Sequence, residues 1–141
     1  LFYLMENLIE TRVVIIHYSQ KGLHEHYEIG KDLKELLHKS NQRIACVASA
    51  NLSRMVSEDS PAGYSAEAKK FDRKVVDFIK RNKLKEIVGE IDKKVLDEVA
   101  AEDMRAIAVL FGTIDEIETQ VDVLSYEAPF GTGHVVSEFF I

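Results

Sequence analysis

The chain has 141 residues, 46% hydrophobic and 30% charged, which suits one folded domain spanning residues 1–141 and excludes the apolar-poor, charge-rich composition of disorder. Its formal charge is −6 with both signs interspersed, so no basic footprint is offered to nucleic acid or anionic lipid. Glu6, Glu10 and Arg12 interrupt the first apolar stretch well short of the ~20 residues that cross a bilayer, and that stretch has neither the basic start nor the small-residue cleavage site of a signal peptide.

Cys46 is the single cysteine, inside the apolar run IACVA. It reads as a buried small hydrophobe in a reducing compartment, and cytoplasmic location is the expectation. The chain starts at Leu1 and ends in the apolar run Phe139–Phe140–Ile141, a layout expected of a piece of something longer.

Val13–Ile16 is a short β-branched run flanked by polar residues, the pattern of a strand covered on both faces. From Leu23 to about Lys39, Ile29, Leu33, Leu36 and Leu37 recur at helical spacing. Arg43–Ala50 is a second strand-like run, so strand, helix and strand predict a right-handed crossover with parallel pairing. Residues 51–65, NLSRMVSEDSPAGYS, are dense in Ser, Asp, Pro and Gly and predict an irregular loop. Loops that leave strand ends are where α/β sheets place their sites.

Ser65 is the predicted cap of a helix over about 66–81 with Phe71, Val75, Val76, Phe78 and Ile79 as its core stripe. Short helices are expected near 84–88 and 92–100, then one from Asp103 through Leu110 that stops at Gly112. Val121, Val123 and Ser125 mark a strand, Val135–Ile141 another, and EAPFGTGH a glycine-punctuated connection between them. The fold class predicted is α/β, helices flanking a mainly parallel or mixed sheet, as part of a three-layer arrangement.

Five histidines are candidates for metal or acid/base work. His24 and His26 are two apart, which on a helix points them apart, so they read as surface residues at a helix start. His38 falls in a helix's last turn, where a cation is favourable, and His17 follows the first strand at its C-terminal end. His134 and Glu138 are four apart, on one face if the segment is a strand. A carboxylate there either faces solvent or, if buried, needs a partner or a cation.

CVASANLSRMVSEDSPAGYSAEAKKFDRKVVDFI resembles the stretch of LigB-like class III extradiol dioxygenases, and of the related Memo-associated proteins, that reads ASGDLSH, then an APAGY segment and a helix. EAPFGTGHVVSEFF is similar to the family's closing PFG-x-G…EF motif, and IIHYSQKGLHEHYEIGKDLKELL resembles the helix before the first motif. The three blocks occur in family order from about Val13 onward.

The resemblance implies a non-haem Fe(II) centre that opens a catechol-type ring with dioxygen, held by two histidines and one glutamate, with open coordination positions for a chelating diol. The glutamate falls on Glu138, and His134 and Tyr64 fall beside the small aromatic substrate. The two histidine ligands belong to the family's N-terminal half, so the chain corresponds to the C-terminal portion of the domain. Where the family carries DLSH, this chain has Asn51, Leu52, Ser53 and Arg54. Arg54 therefore stands at the acid/base histidine, and an arginine cannot accept a proton at neutral pH, although its planar fork can bind anions.

Two readings follow: a ring-opening dioxygenase homologue that is catalytically incomplete as this chain, or a non-catalytic binding or interaction module on the same scaffold. In the second, no metal need be bound. In either, an α/β unit with an open sheet edge or apolar face is expected to form homo-oligomers or to pair with a chain that supplies the N-terminal half.

Overall fold

The computed structural model describes residues 11–141. Its elements in chain order are helix α1 (Leu23–His38), α2 (Ala68–Lys80), α3 (Leu84–Glu90), α4 (Lys93–Glu98), α5 (Met104–Thr113), strand β1 (Gln120–Glu127), a 3₁₀ turn (Pro129–Gly131) and strand β2 (His134–Phe140). β1 and β2 pair antiparallel, and Leu124 is passed over where the register shifts between Val123 and Ser125, as at a bulge.

The chain is thus α/β, with one two-stranded antiparallel sheet among the described residues. The expected strands at Val13–Ile16 and Arg43–Ala50 form no ladder there. Val14 is 84% exposed, Ile16 57% and Val47 67%, so these side chains have no cover among the described residues, although Ala48 and Ala50 at the end of the second run pack against the core. A strand is defined by its partner's hydrogen bonds, and neither segment finds one here. Cys46 lies on the second of them and is exposed rather than buried.

The helices form the core. In α2 the apolar stripe Ala68, Phe71, Val75, Val76 and Ile79 is buried, with Phe78 partly so. Ser65 is not the cap expected of it: the helix begins only at Ala68, with Glu67 in the cap position and no side-chain cap bond, and the Ser65 hydroxyl instead accepts the N–H of Glu67 at 3.2 Å in the turn before it. Asp92 caps α4 by accepting the N–H of Val95 at 3.0 Å, the usual way a free N-terminal donor is satisfied.

α1 turns a different face inward from the one its leucines predict. Leu23, His26, Tyr27 and Gly30 are buried, whereas Ile29 and Leu36 are exposed. The reason is a glycine crossing. A Cβ on Gly30 would lie 2.1 Å from the carbonyl oxygen of Val109, and one on Gly112 would lie 2.1 Å from that of Tyr27. Backbones that approach so closely admit no side chain. Gly112 is accordingly inside α5, which runs on to Thr113, and serves the crossing rather than ending the helix.

The hairpin lies on this helical layer through Val121, Val123, Tyr126, Val135 and Phe139, and Phe139 meets Phe111 edge to face at 6.1 Å. Alternation then sends Asp122, Glu127, His134, Val136, Glu138 and Phe140 to the opposite, exposed face. No described helix is long and apolar enough to cross a membrane.

Candidate functional site

Two segments far apart in sequence, residues 51–56 and 131–133, meet at the turn end of the hairpin. The N–H of Leu52 donates to the carbonyl of Gly133 at 2.9 Å, the N–H of Gly133 donates to the carbonyl of Ser53 at 2.8 Å, and the N–H of Val56 donates to the carbonyl of Gly131 at 2.9 Å. Residues 51–56 thereby lie along the PFGTG turn like a short third strand. Leu52 and Ser53 are fully buried in this seam.

The turn needs its glycine. Phe130 and Gly131 both have positive φ, 52° and 74°, and a Cβ on Gly131 would come within 2.5 Å of Ser60 Cβ. Ser60 in turn holds the carbonyl of Arg54 through its hydroxyl, and Ser65 N–H holds that of Met55 at 3.0 Å. The SPAGY loop is therefore folded back on the seam, and Tyr64 projects from it, 56% exposed.

Behind the seam stands a group that sequence reasoning missed. Asp72, on the buried stripe of α2, is fully buried. Its Oδ1 accepts the N–H of Ser53 at 2.9 Å and its Oδ2 accepts the hydroxyl of Tyr126 at 2.7 Å. Burial pushes its carboxyl above the ordinary range, opposed by the hydrogen bonds from Tyr126 and Ser53 and by His134. Burial and the bond to Asp72 push the Tyr126 phenol up. The signal was present in the sequence: a carboxylate between Phe71 and Val75 on an otherwise apolar stripe.

Asn51 and Arg54 are both tied down. The side-chain amide of Asn51 donates to Asp103 Oδ2 at 3.0 Å, while the Tyr18 hydroxyl donates to Asp103 Oδ1 at 2.7 Å. One carboxylate thus joins the C-terminal ends of the two extended segments, rather than capping α5. Arg54 Nη2 meets Glu102 Oε2 at 2.6 Å and its Nε donates to the carbonyl of Ala100 at 3.0 Å. One edge of its fork is therefore committed to the protein.

His134 opens β2 opposite Glu127, and Glu138 lies opposite Asp122, all on the exposed face. His134 and Glu138 do share a face, four residues apart, or about 13 Å along the strand. Asp122 and Glu138 are like charges directly across a ladder, an arrangement that costs stability unless offset. Among the described residues no group of three His, Cys, Asp or Glu side chains is placed to hold a metal ion. The described residues thus do not make up the ligand set that a non-haem iron requires.

The remaining histidines separate cleanly. His17, His24 and His38 are exposed. His26 is buried, against expectation: its Nδ1 donates to the Gly22 carbonyl at 2.6 Å and its Nε2 accepts the N–H of Ser19 at 3.0 Å. Those partners, one only an acceptor and the other only a donor, put the ring N–H on Nδ1 and the acceptor lone pair on Nε2.

A helical layer backing a hairpin, with the 51–65 loop and the 129–133 turn gathered at one end, defines an α/β unit that carries His134 and Glu138 on its exposed face and buries Ser53 and Asp72 in the loop–turn seam. Residues 1–137 match the family of the catalytic LigB subunit of aromatic ring-opening dioxygenase; the chain belongs to that family. It is also 30% identical over 136 residues, 96% of its length, to Protein CA_C1420 of Clostridium acetobutylicum. The chain spans 29% of the length of that relative.

Proposed function

We propose that the chain forms one part of an extradiol ring-opening dioxygenase centre and does not complete that centre by itself. In this reading Glu138 is its contribution to a non-haem Fe(II) site whose other ligands lie outside the described residues. His134 and Tyr64 face a catechol-type substrate, and Asn51, Ser53 and Arg54 occupy the place of the family's acid/base histidine. The observation that carries the reading is the seam itself, because the NLSR, SPAGY and PFGTGH stretches, which belong to two of the three blocks of the resemblance, are bonded to one another in space.

Arg54 stays protonated at neutral pH and is paired with Glu102, so it supplies no general base. The same reading has Val13–Ile16 and Arg43–Ala50 joining a larger, parallel, three-layer sheet in a cytoplasmic assembly, formed with a second copy or with a chain that bears the missing histidines. The Arg54–Glu102 pair also favours a second reading, a non-catalytic binding module on the same scaffold.

The test is direct. The full chain is loaded anaerobically with Fe(II), mixed with catechol and oxygen, and followed for the yellow absorbance of a ring-opened semialdehyde. No product is expected from the unmodified chain or from Arg54→His, since a base without a complete metal site has no activated substrate. Product from the unmodified chain, or tight stoichiometric Fe(II) binding by calorimetry that is lost on Glu138→Gln, overturns the incompleteness.

A further inference from the structure

We propose that Asp72 is the positioning residue of this site: its buried carboxylate holds the Asn51–Arg54 loop and the Gly131–His134 turn in register, and so sets where Arg54 and His134 stand. The inference rests on the reading of that seam as the functional site.

The geometry carries it in three steps. The carboxylate spans two elements, taking the Ser53 N–H on one oxygen and the Tyr126 hydroxyl on the other, so the loop and β1 are tied to α2 through a single group. The third element is fitted around it: a Cβ at position 133 would lie 1.9 Å from Asp72 Oδ2, so the turn reaches the seam only as glycine. Gly133 then makes both of its backbone bonds to the loop, to Leu52 and Ser53. The carboxylate, loop and turn form one closed arrangement.

A leucine or valine at position 72 would continue the apolar stripe of α2 without the desolvation cost of a carboxylate, and among the described residues Asp72 has no ion-pair partner within 4.0 Å. Packing alone therefore gives no reason for an acid there. What the acid provides is two directed acceptors behind the loop, added to the bonds the loop already makes to the turn, to Val99, to Asp103 and to Glu102. Of the titratable groups around it, Tyr126 of β1 donates to it directly, while His134, on the exposed face of β2, acts on it only through its charge and Arg73 acts on Tyr126.

The experiment is amide exchange and pH titration of the isotope-labelled full chain by NMR. In the unmodified chain the Leu52 and Gly133 amides are protected, and the Ser53 amide proton follows the titration of Asp72. Asp72→Ala speeds exchange at Leu52 and Gly133 by about tenfold or more while Ile107 and Ala108 of α5 are unchanged. Asp72→Asn, whose amide oxygen still accepts from Ser53 and whose nitrogen donates to Tyr126, restores protection and abolishes the titration at Ser53.

Protection retained in the alanine variant, or lost equally in α5, overturns the proposal, as does failure of asparagine to restore it. If the alanine variant does not fold, Tyr126→Phe decides. Removing one donor raises the carboxyl's titration, and the Ser53 amide moves with it; a Ser53 amide that does not respond refutes the link. None of these readouts needs substrate or iron, so they stand apart from the outcome of the ring-opening assay.

Discussion

Gly133→Ala is the substitution from which the structure predicts the most. The added Cβ would lie 1.9 Å from Asp72 Oδ2 and 2.8 Å from its Cγ, against the ~3.5 Å of ordinary contact between heavy atoms. The oxygen cannot retreat freely, because it accepts the Tyr126 hydroxyl and its twin accepts the Ser53 N–H. Either the turn lifts off and loses its two bonds to Leu52 and Ser53, or the carboxylate swings and leaves a buried donor unsatisfied.

Overpacking costs about 1–3 kcal/mol, and a lost bond to a buried charged group about 1.5–3. The expected destabilisation is therefore about 2.5–6 kcal/mol, read as a fall in urea midpoint at constant slope. Gly89→Ala is the internal control: nothing lies within 4 Å of a Cβ there, and alanine in the helix α3 is expected to stabilise by up to ~1 kcal/mol. A double-mutant cycle with Asp72→Ala sharpens the test, because the alanine at 133 should cost far less once the carboxylate is gone. A Gly133→Ala variant within ~0.5 kcal/mol of the parent, or strictly additive effects in the cycle, would refute the account of the seam.

The Asp72 carboxyl is raised in the fold, so the folded chain holds its proton to a higher pH than the unfolded one; its contribution is complete below the unfolded value and lost as pH rises through the folded one. The stability of Asp72→Asn relative to the parent should accordingly increase as pH is raised through the acid range, and a difference flat with pH contradicts the buried charge. His26→Ala leaves the Ser19 N–H and the Gly22 carbonyl without their ring partners and is expected to cost about 1–3 kcal/mol by chemical denaturation, whereas His24→Ala, at an exposed position, should stay within about 0.5. Exposed Val14, Ile16 and Val47 should drive self-association, since water penalises apolar surface at about 25 cal/mol per Å²; a clean monomer by sedimentation at high micromolar concentration would show that this surface needs no cover.

The sequence was legible where a pattern is local. The stripe of α2 and the alternation of β2 put nearly every expected residue on the expected face, because period alone decides which side chains share a side. It misled where a close backbone contact overrode the pattern. Leucines at helical spacing predicted one face of α1, but the Gly30–Gly112 crossing brings the helix against α5 by its other side, and a glycine carries no hydropathy to announce this. The runs at Val13–Ile16 and Arg43–Ala50 have strand composition without ladders among the described residues, since composition records a preference while a ladder needs a partner. In the site, the resemblance put residues of the loop and of the turn at one centre; Asp72 was passed over inside an apolar stripe, and His26 was read with His24 as a surface residue although only His24 is exposed.

The hairpin also constrains anything that covers it. Its inner side chains are spent on the helices, so Glu138, His134, Val136 and Phe140 present a face that is partly apolar and yet carries Asp122 and Glu138 side by side. The apolar residues favour removal of this face from water, while the two carboxylates oppose it, since neither has an ion-pair partner among the described residues and burying unpaired charge costs several kcal/mol per ion. Arg54 cannot supply the compensation without giving up Glu102 and the Ala100 carbonyl. A tight cover must therefore bring positive charge or hydrogen-bond donors of its own to Asp122 and Glu138, and Asp122→Asn with Glu138→Gln should strengthen a purely apolar association but weaken one built on a cation.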